Sequence, residues 1–157
     1  MEATLPQRII PRIGLIALSL WVAAPAAAQP SADVIGQIKV VSGQVSILRG
    51  GGVHVASVGS HVAVADVLKT GADGKVAVML RDETRLALGP NSELELANFA
   101  FAPAEQQLGL SIRLVRGVLS YVSGLIAKLA PATVRLQTPT SIVGVRGTHV
   151  LIKVASP

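Results

Sequence analysis

The sequence predicts an all-β protein: one domain of short, mostly antiparallel strands, folded as a sandwich or as a short β-solenoid. Apolar and polar residues alternate through most of the chain after residue 36, which is the pattern of strands that bury one face. Turn-forming segments such as Gly50-Gly51-Gly52 and Gly89-Pro90-Asn91-Ser92 separate these strands at intervals of about ten residues. Such spacing is typical of sandwiches, barrels and solenoids.

The predicted strands follow one another along the chain. We expect the first over residues 36–41 and the second over residues 44–48. Helix is limited to at most two turns in each of the segments 98–107 and 123–131. The later strands are marked by apolar residues two positions apart, which should face the core: Val76, Val78, Leu80, Leu86, Leu88, Leu94, Leu96, Leu108, Leu110, Ile112, Leu114, Val134, Leu136, Val150, Ile152 and Val154.

Residues 1–28 have the features of a cleaved signal peptide. Arg8 and Arg12 precede an apolar run, Pro25 ends it, and the small residues 26–28 provide a cleavage site before Gln29. An uncleaved anchor is the alternative, although the run is short for a span of about 20 residues. We therefore expect a lead-in over 29–36, one β domain over 37–154 and a tail over 155–157. The protein would be periplasmic or secreted, without a stable membrane span.

The composition is mildly basic. Removing Glu2, Arg8 and Arg12 with the signal leaves 12 of the 14 basic and 8 of the 9 acidic residues, a net charge of +4. These basic residues are spread singly and aromatic residues are scarce, so we predict a solvated surface and no nucleic-acid partner. The chain has no cysteine, and its stability must come from packing and hydrogen bonds.

No catalytic or metal site is indicated. His54, His61 and His149 are too dispersed for a metal-ligand motif; the alternative is a metal site in which a strand, a turn and a strand bring His54 and His61 together. Glu93 and Glu95 share one strand face, as a glycoside hydrolase would need, but such surface pairs are usually solvated. We predict that the protein is not an enzyme and binds no cofactor.

The segment "TPTSIVGVRGTHVLIKV" interrupts a strand pattern with glycines around Arg146. Gly144 and Gly147 suggest a bend or a close backbone approach. A buried arginine at a bend needs acceptors, for which Asp66, Asp73 and Asp82 are the candidates, with Thr148 capping a nearby backbone group. The alternative is an exposed Arg146 that binds a partner's carboxylate.

Four segments together resemble the FecR family of periplasmic domains. The closing segment resembles that family's Thr-Pro and Val-Arg-Gly-Thr signature, and "VADVLKTGADGKVAVML", "LRDETRLALGPNSELELANF" and "LVRGVLSYVSG" resemble its preceding motifs in the same order. Glu83 departs from the family's usual glycine, which questions a tight turn with positive φ at residues 82–84. The matching positions, which we interpret as structural, are Asp66, Thr70, Gly71, Gly74, Asp82, Thr84, Asn91, Ser92, Arg116, Gly117, Thr138, Pro139, Gly144, Arg146, Gly147 and Thr148.

The resemblance implies an all-β domain that works outside the cytoplasmic membrane. Well-known members receive a signal from an outer-membrane transporter and pass it to a cytoplasmic segment that controls a sigma factor. We find no such cytoplasmic segment here, and therefore predict a binding or sensory module that serves an envelope protein. A structural, self-assembling envelope component is the alternative, and a polysaccharide hydrolase is a third reading. The oligomeric state is left open.

Overall fold

The computed structural model describes residues 33–145 and 149–155, and these residues form an all-β domain, as predicted. Twelve strands build one curled, mainly antiparallel sheet with the shape of a half-barrel. The strands are β1 (Val34–Ser42), β2 (Val45–Arg49), β3 (Gly52–Val55), β4 (His61–Ala63), β5 (Val67–Thr70), β6 (Lys75–Leu80), β7 (Arg85–Leu88), β8 (Glu93–Ala102), β9 (Gln107–Val122), β10 (Val134–Gln137), β11 (Ile142–Gly144) and β12 (His149–Val154). Helix α1 (Leu125–Leu129) and 3-10 turns at Pro103–Glu105 and Pro131–Thr133 complete the fold.

The sheet has two halves, and the long strand β9 belongs to both. Half-sheet 1 has the order β4-β1-β6-β7-β9-β12 and uses residues 117–122 of β9. Half-sheet 2 contains β3, β2, β5, β8 and the first part of β9, with β10 parallel to β9 on the other side and β11 beyond it.

The chain passes between the half-sheets repeatedly, and four of these crossings lie beside one another and are hydrogen-bonded together. They are β1 into β2, β5 into β6, β7 into β8, and β9 itself. We call the row of crossing residues the fold line; it comprises residues 43–44, 71–74, 89–92 and 116–117. Gly43, Asn91 and Gly117 have positive φ angles of 65°, 51° and 90°, so the extended conformation is broken in three of the four stretches.

The core lies on the inner face of the curled sheet. The alternating residues of β6, β7 and β8 are buried as predicted, and so are Leu110, Ile112 and Leu114 of β9. Leu108, Val150, Ile152 and Val154 are only partly buried, because they lie near strand ends or on β12, which has a single neighbouring strand in the described sheet.

Several boundaries differ from those expected from the sequence. β1 begins at Val34, inside the expected lead-in, because Ile35 packs into the core and Val34 pairs with Ala63. Residues 98–102 belong to β8 and pair with β9, so the helical turn expected there is confined to Pro103–Glu105. The doubt about a positive φ at residues 82–84 was wrong, since Glu83 has a φ of 67°. The Glu83 N–H donates to the Leu80 carbonyl and thereby closes the turn.

Candidate functional site

Thr70, Ser92 and Val118 form one hydrogen-bond network at the fold line, beside Gly117. The Thr70 hydroxyl donates to the Gly89 carbonyl at 2.7 Å and accepts from the Ser92 N–H at 2.8 Å. Ser92 Oγ accepts from the Val118 N–H at 2.9 Å. A Cβ on Gly117 would collide with Ser92, and its φ is positive, so only glycine fits there without strain.

Gly71, Gly74 and Asn91 belong to the same row. The Gly71 N–H donates to the Gln44 carbonyl at 2.8 Å, and the Gly71 carbonyl accepts from both Gly74 and Asn91. A Cβ on Gly74 would collide with the Gln44 carbonyl. These glycines therefore allow two bent backbones to lie against each other.

Asp66 holds the crossing from β4 into β5. Its carboxylate is fully buried and accepts from Arg49 Nε at 2.7 Å, from Arg49 Nη2 at 2.6 Å and from the Ala63 N–H at 2.7 Å. Arg49 also donates to the His61 carbonyl at 3.0 Å, so one guanidinium links β2 of half-sheet 2 with β4 of half-sheet 1. The hydrogen bond with Asp66 raises the pKa of Arg49 further above its usual value.

The sequence alone did not single out Arg49. It was one of many isolated basic residues, and its position before the triple glycine looked like the end of an ordinary hairpin strand. Its role depends on the β2–β5 register, which pairs Leu48 with Val67 and so brings Arg49 beside Asp66. A longer-range pairing of strands therefore had to be known first.

Asp82 organises the far end of half-sheet 1. Its buried carboxylate accepts from the Thr84 hydroxyl at 2.7 Å, from the Thr84 N–H and from the Ile126 N–H in the first turn of α1. Its carbonyl accepts from the Leu125 N–H at 2.6 Å. Asp82 therefore fixes the hairpin β6–β7 to the short helix.

Tyr121 lies fully buried beside this cluster. Burial raises the pKa of its phenol, and the neighbouring Ser123 and Thr84 oppose that shift only in part. The neutral hydroxyl is therefore the form that the core accommodates.

Thr138 and Pro139 form the turn between β10 and β11. The Thr138 N–H donates to the Ser141 carbonyl at 2.8 Å, and Thr138 Oγ1 accepts from the Ser141 N–H at 3.1 Å. The turn borders an open groove of about 910 Å³, whose apolar wall includes Val143, Ile152 and Val154.

The closing signature lies only partly within the described residues. Gly144 ends β11 in half-sheet 2, and His149 begins β12 in half-sheet 1, so the chain changes half-sheet across the segment predicted as a bend. Arg146, Gly147 and Thr148 lie outside the described residues, and the two readings of Arg146 both stay predictions. Of its candidate acceptors, Asp66 is bound by Arg49, Asp82 by Thr84 and α1, and Asp73 by the Gln44 N–H.

The carboxylates considered for catalysis form ion pairs on the outer face of half-sheet 2. Glu93 binds Lys69 and Arg116, each at 3.3 Å, and Glu95 binds Arg113 at 3.3 Å. This contact also places Arg116, a motif position, on the surface rather than in the buried network.

The histidines lie on exposed strand positions. His54 and His61 border one shallow depression beside Arg49, and His149 shares a 2.8 Å hydrogen bond with Ser120. Within residues 33–145 and 149–155, no three histidine or acidic side chains are placed to hold a metal ion.

The outer edge of β3 is an unprotected sheet edge. In the described sheet this strand pairs only with β2, and its side chains project beyond the core. Val53, Val55 and the following Val58 are 70%, 85% and 66% exposed. β3 has no lysine, glutamate or proline, which are the residues that usually discourage further pairing at a sheet edge.

At the fold line, in the Asp66 cluster and in the Asp82 cluster, the polar residues of the sequence motifs bend the strands of this β domain and join them to one another. The family model described as "FecR protein" matches residues 66–157, more than half of the chain, and the protein belongs to the FecR family. This is an envelope-associated signalling and regulatory family rather than a family of enzymes. Neither the curated proteins nor the solved structures gave a match. In the part of the chain described, no helix has the length and apolar character to cross a membrane.

Proposed function

We propose that this protein is an exported, periplasmic or secreted FecR-type module that acts by binding an envelope protein in a signalling or accessory role. The unprotected edge of β3 supports this proposal best. An extended partner segment can add a strand to such an edge, where main-chain hydrogen bonds give affinity and side chains give specificity.

The geometry of β3 suits strand addition. Residues 52–55 pair with residues 46–49 in regular antiparallel register, so the other edge of β3 presents N–H and carbonyl groups in a regular row. Val53 and Val55 project on one face and His54 on the other, which leaves both faces of an added strand in contact with side chains.

Site-specific crosslinking in the native envelope tests the proposal. A photoreactive residue at position 55 should capture an envelope protein, and Val53→Lys placed in the same chain should reduce that capture at least about tenfold, because a lysine on a sheet edge opposes pairing. Position 129 is the matched control, since Leu129 is 60% exposed and lies on α1 rather than on a strand. Equal capture from both positions, or capture insensitive to Val53→Lys, would contradict the proposal.

The same edge also supports the second candidate, a self-assembling envelope component. Two β3 edges from separate copies can pair with each other as readily as with a partner strand. Light scattering of the purified protein separates the two: a mass that rises with concentration and returns to the monomer in Val55→Lys favours self-assembly. A protein that stays monomeric at all concentrations favours binding to a different envelope protein over self-assembly.

A further inference from the structure

The outer face of half-sheet 1 is built of three rows of side chains that run across its strands. The first row contains Met79, Arg85, Val122 and His149; the second contains Ala77, Ala87, Ser120 and Leu151; the third contains Lys75, Val118 and Lys153. Lys39, at the bulge of β1, borders the same surface. The second row projects least from the sheet, because three of its side chains are small.

This face has basic residues and no carboxylate. Lys39, Lys75, Arg85 and Lys153 are exposed, and none of the residues in β1, β4, β6, β7, β12 or 117–122 is acidic. Asp33, Asp73 and Glu83 lie only in the segments that adjoin the strand ends. No ion pair in the described part of the chain involves these four basic residues.

Half-sheet 2 is also basic, but its outer face contains carboxylates. Glu93 and Glu95 lie there among Lys69, Arg113, Arg116 and Arg135, and each carboxylate forms an ion pair with a basic residue on a neighbouring strand. The fold line therefore separates a face on which basic residues are partly neutralised from a face on which no carboxylate neutralises them.

The layout of the basic face favours an extended anionic surface over a single anion. With strands about 4.8 Å apart and residues about 3.4 Å apart, the basic side chains border an area of roughly 19 by 14 Å and do not converge. Apolar side chains lie among these charged groups: Met79 and Val122 flank Arg85 in the first row, and Leu151 lies in the second. Tyr121, the one aromatic residue of the described half-sheet, points into the core, so the face lacks a stacking platform for sugars or bases.

We propose that the outer face of half-sheet 1 lies against an anionic phospholipid surface. Lysine and arginine near such a surface are attracted to its phosphate groups, and the apolar side chains among them are stabilised by burial at the headgroup boundary. A deep pocket with aromatic anchors, as protein hot spots require, is absent from this described face. The contact is independent of β3, which lies in the other half-sheet.

Vesicle co-sedimentation of the whole exported protein tests the proposal. Each basic residue at an anionic surface increases the partition coefficient by about fivefold, so the double variant Lys75→Glu and Arg85→Glu should weaken binding by at least about 30-fold. The vesicles contain equal parts of phosphatidylglycerol and phosphatidylcholine, and pure phosphatidylcholine vesicles are the neutral reference. Binding of the unaltered protein should fall steeply as salt is added.

Lys128→Glu with Arg135→Glu is the matched control. Both residues are exposed, lie outside half-sheet 1, and change the net charge by the same amount. This control should bind within about threefold of the unaltered protein at moderate salt, because the charge of the proteins is equal and only its position differs. A second variant, Lys39→Glu with Lys153→Glu, repeats the test if the first melts at a lower temperature.

The outcomes are distinct. Loss of binding in the half-sheet 1 variants, with the control retained and neutral vesicles unbound, supports a lipid-facing surface. Equal loss in both double variants would show that only net charge matters, and would overturn the proposal. Equal binding to neutral vesicles, or no binding to anionic vesicles, would also overturn it; in the latter case an acidic protein surface becomes the partner to seek.

Discussion

Single buried polar residues hold together the places where this sheet changes direction. Asp66 and Asp82 each accept hydrogen bonds from two or more groups on different elements, and Ser92 accepts from the Val118 N–H while its own N–H donates to the Thr70 hydroxyl. A buried carboxylate is tolerated only when donors surround it, and its loss or exposure would release several backbone groups together. The motif positions are thus small networks rather than isolated side chains.

Replacing Arg49 with alanine should lower the free energy of unfolding by about 2 kcal/mol. The change leaves the buried Asp66 carboxylate with the Ala63 N–H alone, while partial exposure of the Arg49 side chain, 39%, keeps the loss below that of a fully buried pair. Urea unfolding measures this change in the free energy of unfolding. Arg113→Ala, which breaks the exposed pair with Glu95, is the control and should cost less than about 0.5 kcal/mol. Equal effects of the two substitutions would contradict the role given to Asp66.

Tyr121 should make the protein less stable at high pH. Its folded-state pKa is raised by burial above the unfolded value of about 10, so its contribution is complete below pH 10 and is lost as pH rises through the folded pKa. The difference in stability between the unaltered protein and Tyr121→Phe should therefore change only above about pH 10. Because the chain has a single tyrosine, phenolate absorbance follows this titration directly. A phenol that ionises at the same pH in native and in unfolded protein would refute the expectation.

At the level of elements, β9 depends on one glycine. The strand has 16 residues, pairs with β8 before Gly117 and with β7 and β12 after it, and can serve both half-sheets only by bending there. The bend brings the Val118 N–H to Ser92 Oγ. This hydrogen bond joins β9, at its bend, to the connection between β7 and β8.

Gly117→Ala should lower the free energy of unfolding by at least about 3 kcal/mol. The alanine must adopt a φ near 90° and its Cβ collides with Ser92, so strain and steric overlap add together. Gly109→Ala in the same strand is the control: the nearest atom to its added Cβ is 3.7 Å away and its φ is not positive, so a change within about 1 kcal/mol is expected. Chemical denaturation measures the free energy of unfolding of both variants. A Gly117→Ala protein as stable as the unaltered protein would show that the conformation of the bend is not fixed.

At the scale of the whole molecule, the two half-sheets share one core and are joined by the adjacent backbone crossings of the fold line. Residues from both halves, such as Leu68 and Leu86, belong to one buried cluster. We therefore expect one cooperative unfolding transition, in which the slowest-exchanging amides of β6 and of β8 have the same opening free energy. Native-state hydrogen exchange measures this. Protection that is lost in one half-sheet well before the other would contradict it.

Strand positions and buried faces were predictable because they follow from local alternation and turn residues. The faces of β6, β7 and β8, for example, are set by the period of two alone. The length of β8 was not predictable, since the segment 98–102 is strand only through its pairing with β9. Glu83 likewise adopts a left-handed conformation that its residue type disfavours, because the surrounding hairpin and Asp82 cluster impose it.

The sequence by itself determined the all-β class, the alternating core and the motifs by which the family is recognised, because each depends on neighbours within a few residues. Only the tertiary structure decided that Arg49 binds Asp66, that Gly71, Gly74 and Gly117 belong to one fold line, and that basic residues scattered along the chain gather on one carboxylate-free face. Those features join strands that are far apart in sequence, and their physical cause is register: hydrogen-bonded pairing fixes which side chains share a face, and pairing is a property of the whole sheet.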